Sequence, residues 1–207
     1  MALRRPTSPL ATSPEAGPTA RGPSDFERLL HSSDATQRRL AAQSLGATPG
    51  AAPALVERLH LERDARVREA LFTSVGRLPG ADTVRALMPL LRSEDVSLRN
   101  GAIEALSGMP EWVAPHILQM LEDADPDVRV FTVNMMSDLR HAQVPDWLHR
   151  VLLHEPHVNV VAAALDVLAE VGRAQDLAAI ERVRARFPDD PFIDFAATMA
   201  AQQIGSP

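Results

Sequence analysis

Three histidines and a carboxylate in the second half of the chain are the residues best suited to bind a metal ion. They are His149, His154 and His157, with Asp146 nearby. Imidazole and carboxylate groups are common zinc ligands, provided that they converge on one point. Here the stretch crosses the predicted end of a helix and contains Pro156, so convergence is not assured. We expect a solvated turn, although the sequence leaves metal binding by the three histidines open.

Other kinds of chemistry are excluded by composition. The chain has no cysteine, which removes disulfides, thiolate metal sites and a cysteine nucleophile. All of its basic residues other than histidine are arginine, which removes a phosphate-loop lysine and a Schiff-base lysine. No Ser-His-Asp signature or glycine-rich phosphate loop is present either. We therefore predict no catalytic residue, no cofactor-binding or metal-binding residue, no cofactor, and a role other than that of an enzyme.

The distribution of charge bears on possible partners. Residues 110–207 contain 15 acidic and 7 basic side chains, whereas residues 24–109 contain 11 of each. An acidic surface repels phosphate, so nucleic acid is not an expected partner. No long apolar stretch predicts a membrane span, and no apolar segment follows Arg4 and Arg5 to form a secretion signal. We expect a bacterial, cytoplasmic protein whose oligomeric state the sequence leaves open.

The chemistry-bearing residues are embedded in an internal repeat. An aspartate recurs at intervals of 30, 31 and 30 residues, an arginine follows each one four residues later, and an apolar residue follows seven further on. The pairs are Asp34 and Arg38, Asp64 and Arg68, Asp95 and Arg99, and Asp125 and Arg129. A fifth copy at His157 has lost both charges, and a degenerate sixth begins at Asp190. Segments with helical apolar periodicity lie between the copies, which predicts paired helices.

These patterns predict an all-α fold, an α-α superhelix (solenoid) of about six helix pairs. One short pair cannot bury its own apolar faces, whereas stacked pairs bury each other's. We expect a disordered tail rich in proline, serine and alanine at residues 1–23, followed by one repeat domain at 24–207. The expected repeats are 24–48, 49–79, 80–109, 110–140, 141–172 and 173–207.

The sequence LEDADPDVR at 121–129 resembles the loop and second-helix start of HEAT repeats, especially the short HEAT-like form of bilin lyases. Copies at 61–68, LERDARVR, and at 91–99, LRSEDVSLR, strengthen the resemblance. It covers the chain from about Ser24 to its end. The resemblance implies that each loop aspartate and each second-helix arginine join neighbouring repeats in a polar ladder.

Two functions are expected from the resemblance. The first is a non-enzymatic, armadillo-like scaffold or adaptor that binds a partner protein or peptide on the concave face. The stretches at 166–172 and 191–195 loosely resemble small bacterial HEAT proteins of signalling and regulatory systems, which favours this function. The alternative is a subunit of a bilin-lyase-like or other HEAT-type enzyme, since bilin lyases work as paired HEAT subunits that handle a chromophore.

Exposed positions of the second helices form two rows that would line such a face. One row is Arg39, Glu69, Asn100, Val130 and Ala162, and the next is Gln43, Thr73, Glu104, Asn134 and Asp166. Asp138 and Glu170 lie beyond them. The predicted partner-binding residues are Arg39, Glu69, Thr73, Asn100, Glu104, Val130, Asn134, Asp138, Asp166 and Glu170. This surface should change from basic or neutral to apolar and then to acidic, which suits a partly basic helix or peptide.

Overall fold

The computed structural model describes residues 22–205, and every regular element in this range is helical. Six pairs follow one another, each with a helix A and a helix B. The A helices are α1 (Pro23–Leu29), α3 (Ala52–Leu61), α5 (Ala81–Leu87), α7 (Pro110–Val113) with α8 (Ile117–Leu121), α10 (Val144–His154) and α12 (Leu177–Arg186). The B helices are α2 (Ala35–Leu45), α4 (Ala65–Gly76), α6 (Val96–Ser107), α9 (Pro126–Met135), α11 (Val158–Val171) and α13 (Pro191–Gly205). The predicted all-α solenoid is confirmed.

The first helix begins close to the predicted end of the tail. Most of the predicted tail, residues 1–21, lies outside the described residues, and α1 begins at Pro23 after Gly22. Proline is favoured in the first turn of a helix because its missing N–H would have no helical partner there. The division of the chain into a tail and a repeat domain with six stated boundaries stays a prediction.

Recurring aspartates fix where the B helices begin. Each accepts a hydrogen bond from the backbone N–H two residues later, as Asp34 does from Thr36 at 2.8 Å. The capping residues are Asp34, Asp64, Asp95 and Asp125, and Asp190 does the same for α13. In the fifth repeat, His157 occupies the cap position without a side-chain cap. The repeated aspartate is therefore a helix-start signal, which explains its regular spacing.

Proline interrupts two of the A helices. After α5 the chain forms a 3-10 segment, Met88–Arg92, that contains Pro89. Between α7 and α8 a second 3-10 segment, Ala114–His116, contains Pro115. A proline inside a helix removes one backbone hydrogen bond and clashes with the preceding turn. The A layer is consequently less regular than the B layer.

The core lies between the layer of A helices and the layer of B helices. Consecutive B helices pack against each other from α2 to α13, and the A helices form a parallel series of contacts. One A-layer side chain in each of repeats two to six shows the pattern, because Leu55, Leu87, Ile117, Leu148 and Ile180 are fully buried. Each repeat thus buries its apolar side chains against its neighbours, as expected for a quasi-one-dimensional fold.

A buried network of charges joins the first two repeats. Glu62 is 1% exposed, and both of its carboxylate oxygens accept hydrogen bonds from Arg38 at 2.8 Å. Arg58, one turn earlier on α3, donates to Oε2 of Glu62 at 3.0 Å and 3.1 Å. Oε1 also accepts from the backbone N–H groups of Arg63 and Asp64. The carboxylate therefore holds the two repeats and the start of α4 together.

We expect this network to make stability depend on pH. Burial alone would raise the pKa of Glu62. The hydrogen bonds from Arg38, Asp64 and Arg58 outweigh this effect and lower the pKa from 4.5 to about 2. Because the folded pKa is the lower one, the stabilisation by Glu62 is complete above about pH 4.5 and is lost as the pH falls toward 2. Urea unfolding of the wild type and of Glu62→Gln should give a stability difference that shrinks across that window. A difference that is constant with pH would contradict the assignment.

Candidate functional site

The arginines predicted to form a ladder lie at the contacts between repeats, but three of the four interact with groups other than the predicted aspartates. Arg68 pairs with Asp95 of the next repeat at 2.8 Å, as expected. Arg38 pairs instead with Glu62, and Arg129 pairs with Glu155 at 2.9 Å and 3.0 Å. The guanidinium of Arg99 lies 4.7 Å from the centre of the ring of a fourth-repeat phenylalanine.

The difference lies at the position two residues before each cap, which is acidic in the second, fourth and fifth repeats, and in the fourth Asp123 is paired with Arg92 instead of Arg99. Glu62 and Glu155 occupy it in repeats two and five, and both are buried, at 1% and 8% exposure. Each of these buried carboxylates accepts two parallel charge-assisted hydrogen bonds from the arginine of the preceding repeat, which is the strong bidentate arrangement. In the third repeat this position is Ser93, which carries no charge, so Arg68 turns to Asp95. These residues are structural and leave the exposed B-helix surface for function.

A groove between α4 and α6 is the largest feature of that surface that we describe. Its volume is about 730 Å³, within the range of pockets that hold small molecules and cofactors. The floor and walls combine apolar groups with a few charged ones. The lining includes Arg63, Ala65, Arg68, Glu69, Phe72, Thr73, Ser97, Asn100, Gly101, Glu104 and Ala105. We call this the α4–α6 groove.

The floor of the α4–α6 groove depends on a glycine inside a helix. Phe72 is half-buried, and its ring lies over the backbone of Gly101. A Cβ added at Gly101 would lie 2.5 Å from two ring carbons of Phe72, far inside van der Waals contact. Glycine in a helix interior costs about 1 kcal/mol relative to alanine. The close approach of ring and backbone is the structural reason for a glycine at this position.

Charged groups line the edge of the α4–α6 groove. Arg68 is fixed by Asp95 at 2.8 Å and also donates to the carbonyl oxygen of Glu62. The carboxylate of Asp95 accepts a hydrogen bond from the hydroxyl of Ser97 and pairs with the guanidinium of Arg68. Together with two backbone N–H groups, these contacts lower the pKa of Asp95 to about 2. Arg63, by contrast, is exposed and makes no ion pair with any residue that the structure describes. A free guanidinium at a groove edge suits a ligand carboxylate.

Six of the ten predicted partner-binding residues lie at this groove or at two grooves beside it. Glu69, Thr73, Asn100 and Glu104 line the α4–α6 groove. Arg39 lines a neighbouring groove of about 450 Å³ together with Glu69 and Thr73. On the other side, Asp138 lines one of about 620 Å³ with Asn100 and Glu104. The two predicted rows therefore follow a continuous series of grooves across the first four repeats; a role in binding stays a proposal.

The remaining residues of the predicted rows are distributed differently. Val130 is half-buried and packs on the core, while Asn134, Asp166 and Glu170 are exposed. Although the Asp166 side chain is exposed, partial desolvation by the surrounding protein raises its pKa. Ala162 is wrongly placed in an exposed row, since it is 3% exposed. Its small side chain lets α11 pack closely on its neighbours, and eight residues of that helix are buried.

Sequence reasoning missed several residues of this surface. Phe72 and Gly101 lie in the α4–α6 groove, and their role there depends on a contact between two helices that the sequence does not reveal. Phe192, Phe195 and Met199 are exposed on α13. The cap at Asp190 was the available signal, because counting from it extends both rows into the sixth repeat.

The histidines near α10 do not form a metal centre in the part of the chain that the structure describes. No group of three or more histidine, aspartate or glutamate side chains there could hold a metal ion. His149 instead lies 2.7 Å from the buried carboxylate of Asp176, which also accepts from the backbone N–H of Arg173. This contact joins the fifth repeat to the start of α12. Among residues 22–205 no helix is long and apolar enough to cross a membrane.

The sequence pattern of HEAT repeats matches residues 24–107 and 114–202 of this chain. The chain belongs to the HEAT-repeat family. The matched ranges cover the six helix pairs except for the outer ends of α1 and α13 and the stretch 108–113, which contains α7, in agreement with the repeated caps and the stacked A and B layers. The predicted HEAT-type resemblance is confirmed.

Two HEAT-family relatives are bilin biosynthesis proteins. The protein PecE of Nostoc sp. (strain PCC 7120) is 31% identical over 148 residues, covering 69% of this chain and 58% of its own length. PecE of Mastigocladus laminosus has the same identity over the same share of this chain and 54% of its own length. The chain thus spans little more than half of these relatives.

Solved structures with a similar arrangement include an engineered protein, with a TM-score of 0.43, 19% identity, and coverage of 90% of this chain and 100% of that one. The complex of CpcE and CpcF of phycocyanin lyase from Nostoc sp. PCC 7120 has a TM-score of 0.37 and 18% identity, covering 95% of this chain and 100% of that one. At these values the likenesses carry no argument about function.

The relatives correct the expected function. A non-enzymatic interaction scaffold, the first expectation, is contradicted by the match to bilin biosynthesis proteins, and so is the expectation that the chain is no enzyme. The sequence features that led there, acidic rows and the absence of a catalytic signature, describe the surface without distinguishing a scaffold from a subunit that holds a chromophore. The alternative expectation, a bilin-lyase-like subunit, fits the relatives.

Proposed function

We propose that the chain is a subunit of a bilin-lyase-like enzyme and that its α4–α6 groove holds the bilin. The observation that carries this proposal is the 31% identity over 148 residues to PecE, a bilin biosynthesis protein. A protein partner and a cytoplasmic location are parts of the same proposal, the partner being the protein with which the subunit acts on the bilin.

The shape of the α4–α6 groove suits a bilin, which is an elongated, conjugated tetrapyrrole. Its volume of about 730 Å³ is that of a pocket for a ligand of drug or cofactor size. The ring of Phe72 offers a flat aromatic surface, and Gly101 brings a helix backbone close to that ring. Aromatic rings favour offset stacking on other conjugated systems. Ala65 and Ala105 leave the walls free of large side chains.

The charges around the groove match the polar groups of a bilin. Its propionate groups are anionic, and the unpaired Arg63 with the fixed Arg68 offers guanidinium donors at one edge. Its pyrrole N–H groups are donors, and Glu69 and Glu104 are carboxylate acceptors in the same lining. Charge-assisted hydrogen bonds of both kinds are stronger than neutral ones and would fix the orientation of the ligand. Because the chain has no cysteine, the bilin would be held without a thioether bond.

Titration of the purified chain with phycocyanobilin tests the proposal. We expect a shift and sharpening of the long-wavelength absorbance, with saturation at micromolar bilin, because a bound bilin is restricted to fewer conformations. Arg63→Glu should weaken binding about tenfold or more, since a lost charge-assisted contact is worth about 1.5 to 3 kcal/mol. Arg182→Glu, an exposed arginine on α12 outside the groove, is the matched control. An unchanged spectrum, or equal effects of the two variants, would contradict the proposal.

A further inference from the structure

Helix α13 exposes three large apolar side chains along one face. Asp190 caps α13 by accepting hydrogen bonds from the N–H groups of Phe192 and Ile193, both at 3.0 Å. Positions can therefore be counted from this cap as they are from the aspartate caps of earlier repeats. Phe195, five residues after the cap, continues the row of Arg39, and Met199, nine residues after it, continues the row of Gln43.

These positions change character in the sixth repeat. In repeats one to four the fifth and ninth positions are polar except for Val130, and in the fifth repeat they are the buried Ala162 and the exposed Asp166. In α13 both are large and apolar, with Phe195 62% exposed and Met199 40% exposed. Phe192, one turn before Phe195, is 53% exposed. We call Phe192, Phe195 and Met199 the α13 stripe.

The opposite face of α13 is already used for packing. Ile193, Ala196, Ala197 and Ala200 are buried, and the helix packs against α11 and α12. Within residues 22–205, the α13 stripe takes no part in this packing. Large apolar side chains exposed together on a surface mark a contact site for another molecule.

Acidic groups flank the α13 stripe. Asp194 lies between the two phenylalanines along the helix, and its side chain is 73% exposed. Asp166 is exposed on the neighbouring α11 at the position that Met199 occupies in α13, and Glu170 follows one turn later. Arg184 on α12 forms an ion pair with Asp194 at 3.3 Å. Arg186 donates to the carbonyl oxygens of Leu152 and Glu155. The acidic groups available to a partner beside the stripe are therefore Asp166 and Glu170 on α11.

We propose that the α13 stripe docks an amphipathic helix of a partner protein, with an apolar ridge flanked by arginine or lysine. The apolar ridge covers the phenylalanines, and a basic flank meets Asp166 and Glu170 on α11. A second copy of this chain fits less well, because two stripes brought together would place the same acidic groups opposite each other. The inference rests on the proposed function, in which the partner works with the bilin-binding subunit.

A peptide-binding experiment tests the α13 stripe. The probe is a fluorescent synthetic peptide of about five helical turns, with leucine on one face and arginine on both sides of it. A second peptide has glutamate in place of arginine. We expect the arginine peptide to bind with micromolar affinity by fluorescence anisotropy, and the glutamate peptide to bind at least about tenfold more weakly.

Variants of the chain locate the binding surface. The double variant Phe192→Ser/Phe195→Ser should bind the arginine peptide at least about tenfold more weakly. Leu61→Ser, at an equally exposed leucine outside the stripe, should bind it normally. Absence of binding, equal binding of both peptides, or an unaffected double variant would overturn the inference. A wild-type dimer in sedimentation that the double variant converts to a monomer would assign the stripe to a second copy and also overturn it.

The same variants separate this inference from the proposed function. Bilin titration of the double variant should match that of the wild type, because the α4–α6 groove lies three B helices away along the stack. In the double variant, loss of peptide binding with normal bilin binding supports both proposals. In the wild type, normal bilin binding with no peptide binding overturns the docking inference alone, and peptide binding without bilin binding overturns the proposed function alone.

Discussion

Replacing Glu62 by alanine is expected to lower the free energy of unfolding by about 3 to 5 kcal/mol, because removing one partner leaves the other charges buried and unpaired. Arg38 would lose two hydrogen bonds of 2.8 Å, and Arg58 would lose its ion pair to the same carboxylate. Two backbone N–H groups at the start of α4 would lose their acceptor as well. Urea unfolding followed by circular dichroism measures the change.

An exposed ion pair provides the control for Glu62→Ala. Glu122 and Arg150 lie 2.8 Å apart with side chains 63% and 50% exposed. Exposed pairs contribute about 1 kcal/mol or less, so Glu122→Ala should hardly affect unfolding. If Glu62→Ala cost no more than Glu122→Ala, the buried network would not be what holds the first two repeats together.

The second large effect is expected at Gly101. In Gly101→Ala the new Cβ would overlap the ring of Phe72, 2.5 Å away, so the ring must leave its place on the floor of the α4–α6 groove. Bilin affinity should fall about tenfold or more. The free energy of unfolding should change less than the free energy of bilin binding. Alanine is the better helix former by about 1 kcal/mol, which offsets part of the strain. Absorbance titration together with urea unfolding measures the two effects separately.

Another glycine and a compensating substitution serve as controls for Gly101→Ala. Gly80 lies in the connection before α5, and an added Cβ there meets no atom within 4 Å. Gly80→Ala should therefore leave bilin binding unchanged. Adding Phe72→Ala to Gly101→Ala removes the overlap but also the aromatic floor, so binding should stay weak. Normal binding by Gly101→Ala would place the bilin elsewhere on the chain.

Much of the fold could be predicted because its determinants are local. An aspartate at a helix start satisfies backbone N–H groups within three residues of itself, so its spacing records the repeat length directly. Four copies at nearly constant intervals gave the B helices, and amphipathic periodicity between them gave the A helices. Pro89 and Pro115 likewise act on their own helices, and both lie in 3-10 segments.

Contacts between repeats were harder to predict, because they depend on which of several charged groups is buried. Arg38 and Arg129 bind Glu62 and Glu155 instead of the capping aspartates, a choice that depends on burial. Ala162 has the same position in its helix as the exposed Glu69, and only the close packing of α11 buries it. The contact of Phe72 with Gly101 spans two repeats, so no periodicity within one repeat reveals it.

The functional class was predicted only as an alternative, because the motif at 121–129 resembles bilin lyases but no residue pattern favoured that function over a scaffold. A groove that holds a chromophore without a covalent bond needs shape and a few charges, and it leaves no catalytic spacing motif in the sequence. The predicted rows nevertheless contain Glu69, Asn100 and Glu104, which line the α4–α6 groove. The sequence prediction assigned these residues a protein ligand, whereas the relatives are bilin biosynthesis proteins, and their role in binding stays a proposal.

The most direct test is a crystal structure of the chain grown with phycocyanobilin. The account predicts tetrapyrrole density in the α4–α6 groove, stacked on Phe72, with a propionate within hydrogen-bonding distance of Arg63. Density on the α13 stripe or in another part of the chain, with the α4–α6 groove filled only by water, would contradict it.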